Sequence, residues 1–249
     1  MNDPQVGLTL WLRRLSQRTE LSADDQRRVL SLPGRIERIR TNHDFVRLGQ
    51  RVEESCLVVS GIAARFGQAR DGQRQLTALH IAGDCADLHS AVLPNSGSAL
   101  SAVSDIVIYR MPHPAIHEIV RASPALARAM WRDCTVDASI AAEWLLNNGR
   151  RDARSRLAHL ICELAMRMEA VGAGTRHKFT LEMSQMHLGD ALGLTSVHVN
   201  RMMRELREAG LLVVTGRDFE VLDWTKLADT GDFDPRYLHL SQEHPDTGE

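Results

Sequence analysis

The sequence predicts an α+β chain with a β-rich first half, one long helix, and a C-terminal helix-turn-helix followed by a hairpin. Three observations carry this. Between Arg35 and about Arg110, short apolar runs alternate with turn signals at Gly49, Gly61, Gly67, Asp71-Gly72, Gly83-Asp84 and Pro94-Asn95, the pattern of an all-β sandwich or barrel. From Ser123 to Gly149 the apolar residues repeat at helical spacing. From Met183 to Leu212 the chain reads MSQMHLGDALGLTSVHVNRMMRELREAGLL, two short amphipathic stretches joined at a glycine.

Each element has a local cause. Ser22 precedes ADDQRRVLSL, and Asp24 and Asp25 fall in the first turn, where the helix dipole favours carboxylates; Pro33-Gly34 stops that helix. In the β-rich segment the runs RIERIR, DFVRLG, SCLVVSGIAARFG, RQLTALHIAG and ALSAVSDIVIYRM read as short strands, with Asp71-Gly72 turning a hairpin. Ser123 and Pro124 form an N-cap and N1 pair for the long helix, and Gly149 is its expected stop. Leu126, Met130, Cys134, Ala138, Ala141 and Leu145 lie along one row, with Ala129, Val136, Ile140 and Trp144 beside it. So wide an apolar face can meet both a sheet and a second helix. Leu126, Met130, Cys134, Ala141, Trp144 and Leu145 are assigned to a dimer seam; a helix fully buried within one chain is the alternative. RRDARSRLAHLICELAMRMEAVG is a further helix ended by Gly172 and Gly174, HKFTLEM is strand-like, and LLVVTGRDFEVLD is a hairpin around Gly216. The polar tail after Asp229 is expected to pack poorly apart from YLHL.

Composition narrows the function. The chain has 249 residues, 43% hydrophobic, enough for two compact domains. Its net charge of -2 hides an asymmetry: Arg150 to Arg217 holds 11 Lys/Arg against 7 Asp/Glu, a net of +4, which leaves -6 for the remainder. The cysteines Cys56, Cys85, Cys134 and Cys162 fit neither a CxxC clamp nor a zinc spacing, so no metal site is expected. MNDPQVGLTLWLRRL lacks the basic start and long apolar run of a signal peptide, and no stretch has the length of a membrane span, so a cytoplasmic protein without membrane contact is expected. No nucleophile motif, P-loop or GxGxxG marks an enzyme, and the scattered His and Asp residues are read as surface.

A helix-turn-helix needs a tight turn and a second helix whose start is small or polar. Ser184 can cap the first helix, with Met186, Leu188, Ala191 and Leu192 on its apolar side; Gly193 allows the turn and Thr195 can cap the second helix. Val199, Met202, Met203 and Leu206 face inward, leaving Ser196, Val197, His198, Asn200, Arg201 and Arg204 outside. Arg can fork onto guanine and Asn onto adenine, while Val197 can touch a thymine methyl. Ser184, Gln185 and Thr195 at the helix starts, and Arg217 in the wing-like hairpin, are placed to reach phosphates. Double-stranded DNA is the expected partner.

From about Leu21 to Leu227 the chain resembles the CRP/FNR family of bacterial transcription regulators. DFVRLGQ, LVVSGIAARF, GQRQLTALHIAGD and SALSAVSD resemble successive pieces of the family's cyclic-nucleotide-binding-like β-roll, a double-stranded jelly roll; GRRDARSRLAHLICEL resembles the start of its DNA-binding domain. LGLTSVHVNRMMRELREAGLL is the most specific piece and is similar to a branch with a His-Val-Asn-Arg recognition helix. The resemblance implies a sensor roll over 20–120, a dimerisation helix over 121–149, a winged helix-turn-helix over 150–228 and a tail over 229–249. It also implies a homodimer on a near-palindromic operator, with RNA polymerase as a partner if the protein activates.

The departures bear on the effector. Cyclic-AMP-binding members carry a Gly-Glu pair for the ribose and an Arg-Thr/Ser pair for the phosphate. Here Asp84 follows Gly83 without that Glu, Ser98-Ala99 stands where the Arg pair belongs, and no Arg occurs between Arg74 and Arg110. Gly83, Asp84, Leu88, Ser98 and Ala99 mark the matching pocket, and cyclic AMP is not the expected effector. Members with an iron–sulfur cluster carry an N-terminal Cys group, whereas no Cys precedes Cys56, so that cluster is not expected either. His80, His89, His113 and His117 are available as haem ligands but are read as surface or hydrogen-bonded residues. No cofactor is predicted and the effector is left open. The rival reading is a ligand-binding regulatory module that does not bind DNA.

Overall fold

The computed structural model describes residues 4–240. Residues 241–249, the acidic end of the tail, lie outside the described residues. The first described element is a helix not among the sequence-based expectations, α1 (Pro4–Ser16). Leu8, Trp11 and Leu15 recur at helical spacing and are buried. Gly7 lets α1 approach the roll closely, since a Cβ there would meet Val59 Cγ2 at 2.8 Å. The helix α2 (Ala23–Leu30) begins as expected, with Ser22 and Asp25 in a reciprocal capping box.

The roll consists of two antiparallel sheets. One orders β1 (Arg35–Ile39), β7 (Ile106–Pro112) and β3 (Glu54–Ser60) as β1-β7-β3; the other orders β2 (Asp44–Val46), β6 (Ala99–Ala102), β4 (Ala63–Gln68) and β5 (Arg74–His80) as β2-β6-β4-β5. Ile39, Val46, Val58, Ala63, Leu100, Ile106 and Ile108 form a core cluster with residues from both sheets. The β4–β5 hairpin turns at Gly72, whose φ of +88° suits glycine.

After α3 (His113–Ala122) comes α4 (Pro124–Arg150), capped by Ser123, which accepts from the Leu126 amide. Gly149 does not end it; the helix runs on to Arg150. Asp152 then caps α5 (Ala153–Val171), which Gly172 closes in the left-handed conformation. The C-terminal part holds a small sheet, β8 (Lys178–Thr180), β10 (Asp218–Val221) and β9 (Leu212–Thr215) in the order β8-β10-β9, together with α6 (Gln185–Leu192), α7 (Ser196–Glu208) and α8 (Trp224–Thr230). A 3-10 turn, Pro235–Leu238, carries the chain back to α4 and α1: Leu238 is buried, and Arg18 donates to the carbonyls of Leu238 and His239. Part of the predicted YLHL anchor therefore packs.

The wide apolar face of α4 divides differently from the predicted seam. Leu126 and Met130 are buried with Trp11, Leu15 and Ile116 of the same chain. Trp144 is buried in the cluster that contains α5 and donates from Nε1 to Glu163 at 2.9 Å. These three residues are intrachain core and not seam. A helix against its own roll and against α5 satisfies its large side chains locally. The outward side keeps Cys134 half-buried and Ala138, Ala141 and Leu145 exposed. It also carries Trp131, which spacing alone did not select; Trp131 and Leu145 are each 77% exposed.

Candidate nucleic-acid interface

The helix-turn-helix is built by its caps and two glycines. Ser184 accepts from the His187 amide and Thr195 from the His198 amide, each satisfying a free N–H of a helix start. Gly193 ends α6 at φ +63°. Gly189 permits the tight crossing, because a Cβ there would meet the Leu194 carbonyl oxygen at 2.5 Å. Val199, Met202, Met203 and Leu206 are buried as their spacing requires. Met186 is not part of that apolar side; it is 53% exposed, and the buried position on the first turn belongs to His187.

The outer face of α7 is polar and open. Val197 (76% exposed), His198, Asn200, Arg201 and Arg204 are exposed, and Ser196 is half-buried. Arg201 and Arg204 have only long contacts at 3.9 and 3.8 Å, to Glu205 and Glu208 one turn on. Such exposed pairs contribute little, so both guanidiniums can be redeployed toward a ligand. Arg217 lies in the β9–β10 turn beside Gly216 and is exposed, 4.0 Å from Glu182. Gln185 is half-buried, with its Oε1 enclosed and without a partner among the described residues.

The predicted effector positions separate. Asp84 does not line an opening: Arg14 donates to its Oδ1, and Arg167 (2.6 Å) and the Ile81 amide (2.9 Å) donate to Oδ2. Burial pushes that carboxyl up, but the guanidiniums of Arg14 and Arg167 hold it below the ordinary carboxylate range. Gly83 packs on Leu10 of α1, and Ala99 is buried in β6. Leu88 and Ser98 do line a cavity, of about 290 Å³, with Arg65, His89, Cys134 and Asp137. The cation that the sequence around Ser98 lacks is supplied by Arg65, which reaches the site from β4 through the fold and donates to the Ala86 carbonyl at 2.5 Å.

The reading of His and Asp residues as surface is also corrected. Asp84, Asp87, Asp133, His80 and His113 are buried. Arg14 pairs with Asp84, Asp133 (2.6 Å) and Asp137 (3.0 Å), and Arg167 continues the network to Glu163 at 2.9 Å. Glu163 also accepts from Trp144 and Tyr237. Asp137, at the cavity, is pushed up to about 6 by burial, against the Arg14 guanidinium and with Asp133 and Asp84 adding to the rise. These contacts tie α1, the roll, α4 and α5 together. Burial also keeps the thiols protonated: Cys134 is pushed up to about 11 and Cys162 to about 12, and Cys56 and Cys85 are raised well above the ordinary thiol value.

The helix-turn-helix docks on the roll. Gln75 of β5 donates to the Asp190 and Ala191 carbonyls at 2.7 and 3.2 Å, and Asn148 of α4 donates to Ala191 at 3.1 Å. Neither contact has a signature in sequence spacing.

Residues 155–230 match the Crp-like helix-turn-helix domain family. The chain is similar to the nitrogen fixation regulation protein FixK of Azorhizobium caulinodans, 29% identical over 163 residues, 66% of this chain and 65% of that protein. It is also similar to the fumarate and nitrate reduction regulatory protein of Vibrio cholerae, 22% identical over 189 residues, 76% and 75% of the two chains. Among solved structures, FixK2 from Bradyrhizobium japonicum superposes with a TM-score of 0.72 at 24% identity, covering 80% of this chain and 98% of that one. A CooA mutant from Carboxydothermus hydrogenoformans superposes at 0.62 with 21% identity, covering 88% and 95%.

Proposed function

We propose that the chain is a transcription regulator of the CRP/FNR family and that it acts as a homodimer that reads a near-palindromic operator with α7. The observation that carries this is the outer face of α7: Thr195 caps the helix, and Val197, His198, Asn200, Arg201 and Arg204 stand exposed on it with no strong intrachain use. Arg201 and Asn200 are the bidentate readers and Val197 the methyl contact, with Ser196, His198 and Arg204 beside them. The starts of α6 and α7, at Ser184, Gln185 and Thr195, and the wing residue Arg217 serve the phosphates.

The dimer forms on the outward side of α4, where Trp131, Cys134, Ala138, Ala141 and Leu145 follow one another at helical spacing. A two-fold through that seam sets the two α7 helices roughly one DNA turn, about 34 Å, apart. The rival reading, a sensing module without DNA binding, leaves the helix-turn-helix unexplained. RNA polymerase is a further partner if the protein activates. The setting is cytoplasmic; among the described residues no helix is long and apolar enough to cross a membrane. No catalytic role is assigned.

The effector in this reading is not cyclic AMP. The Asp84 oxygens are committed to Arg14, Arg167 and the Ile81 amide. A ligand entering at Leu88 and Ser98 would meet Arg65 and Asp137 in a cavity of about 290 Å³. An iron–sulfur cluster is outside this reading, because no cysteine precedes Cys56 to supply an N-terminal ligand group.

Selection of binding sites from random duplex DNA at low salt tests the proposal. Recovery of a two-fold symmetric site is the expected result. Recovery of no preferred sequence, with and without cell extract as an effector source, would overturn it.

A further inference from the structure

The β1–β2 turn of the roll lies against the helix-turn-helix. At its tip Asn42, in the left-handed conformation (φ 62°), sits with Oδ1 2.9 Å from His187 Nε2. The other ring nitrogen, Nδ1, accepts from the Ser184 amide, so Nε2 carries the proton and Asn42 accepts. His187 is the third residue of α6, two residues after Gln185, which is assigned above to phosphate contact. Gln75, on β5 at the far edge of the sheet that begins with β2, fixes the other end of α6. The roll edge and the DNA-binding helices are thus held in one register.

That edge is basic. Arg38, Arg40, His43 and Arg47 are exposed and line an open groove of about 500 Å³ with Glu37 and Asp44. Its carboxylates are already matched. Asp44 accepts from both terminal nitrogens of Arg74 at 3.0 Å, and Glu37 accepts from Arg110 and Arg35. Arg40 and Arg47 have no carboxylate partner among the described residues. Free guanidiniums on a turn that packs against the helix-turn-helix through Asn42 have a use, because each offers a charge-assisted fork to a phosphate.

We propose that this edge is a second DNA contact, in which Arg40 and Arg47, with His43, hold the phosphate backbone outside the half-site read by α7. The partner is the duplex flanking the operator, and the inference rests on the function proposed above. The contact adds affinity and salt sensitivity but no sequence preference, since phosphates are the same at every step.

The test compares wild type with the Arg40→Gln/Arg47→Gln variant on two duplexes carrying the selected operator. One ends at the half-sites; the other extends a helical turn beyond each. Dissociation constants are measured across a salt series. The expected result is that the variant weakens only on the extended duplex. There its log K against log salt becomes shallower by up to about 3.6, from about 0.9 for each of two guanidiniums on two protomers. Equal affinities and slopes for variant and wild type on the extended duplex would overturn the proposal. Equal weakening on both duplexes would overturn the flanking placement. If the wild type binds neither duplex, the DNA-binding function fails and this contact with it; binding of the short duplex alone, with no gain on extension, removes the contact and leaves the function standing.

Discussion

Replacing Arg167 by methionine tests how the DNA-binding part is fastened to the roll. Arg167 sits on α5 with 4% of its side chain exposed and donates to three groups, Asp84 at 2.6 Å, Glu163 on its own helix at 2.9 Å and the Leu79 carbonyl at 2.8 Å. Methionine keeps much of the volume and removes every donor. Asp84, whose side chain is 2% exposed, would keep only Arg14 as a cation, and Glu163, fully buried, would keep only Trp144 and Tyr237. Leaving one member of a buried charged set uncompensated costs about 3–5 kcal/mol. For a chain of this size each kcal/mol lowers Tm by roughly 2–4 °C, so a fall of roughly 6–20 °C is expected. The assays are thermal and urea unfolding followed by tryptophan fluorescence at fixed protein concentration, because dimerisation makes stability depend on concentration. Combining Arg167→Met with Glu163→Gln should cost less than the sum of the two, since the second change removes the charge that the first strands. An Arg167→Met variant within about 0.5 kcal/mol of wild type, the range of ordinary surface changes, would refute the reasoning.

Arg201→Ala should weaken operator binding by about 1–3 kcal/mol, read by fluorescence anisotropy, if its guanidinium forks onto a base; unchanged affinity removes it from the readout. Trp131→Glu or Leu145→Glu should leave the protomer folded and dissociate the dimer in light scattering, whereas Trp144→Glu should unfold the chain by burying a carboxylate beside Glu163. An intact dimer in both exposed-site variants would refute the α4 seam. The raised Asp137 fixes the sign of a pH effect. Its folded form keeps a proton between about pH 4 and 6 that the unfolded chain has released, so the stability this proton contributes is complete below about pH 4 and lost as pH rises through 6. Asp137→Asn removes that loss, and its stability relative to wild type should grow from pH 4.5 to pH 7 by on the order of 2 kcal/mol; a difference independent of pH would refute it.

The elements governed by local chemistry were legible in the sequence. The caps Ser22, Ser123, Ser184 and Thr195, the glycines at 72, 172 and 193, and the inward row Val199, Met202, Met203 and Leu206 each act within a few residues of chain. The helix α1 was legible in principle, from Leu8, Trp11 and Leu15, but its partner is Val59 of β3, far along the chain. What stayed hidden was pairing over long separations. Asp84 reads as a pocket residue until Arg14 and Arg167 arrive from 70 and 83 residues away. Arg65 is absent from any local motif around Ser98. A helix face holding Trp131 and Trp144 gives no sign of which indole meets α5 and which meets solvent. Met186 and His187 exchanged their expected places because Asn42 and the capping box draw the imidazole inward.

The central claim is that two copies of α7 enter two successive major grooves of one operator. Hydroxyl-radical footprinting of the selected duplex tests it most directly. The account predicts protection in two symmetric patches on one face of the duplex, their centres roughly one helical turn or 34 Å apart, both reduced together by Arg201→Ala. A single unpaired patch, or a footprint indifferent to the α7 variant, would contradict it.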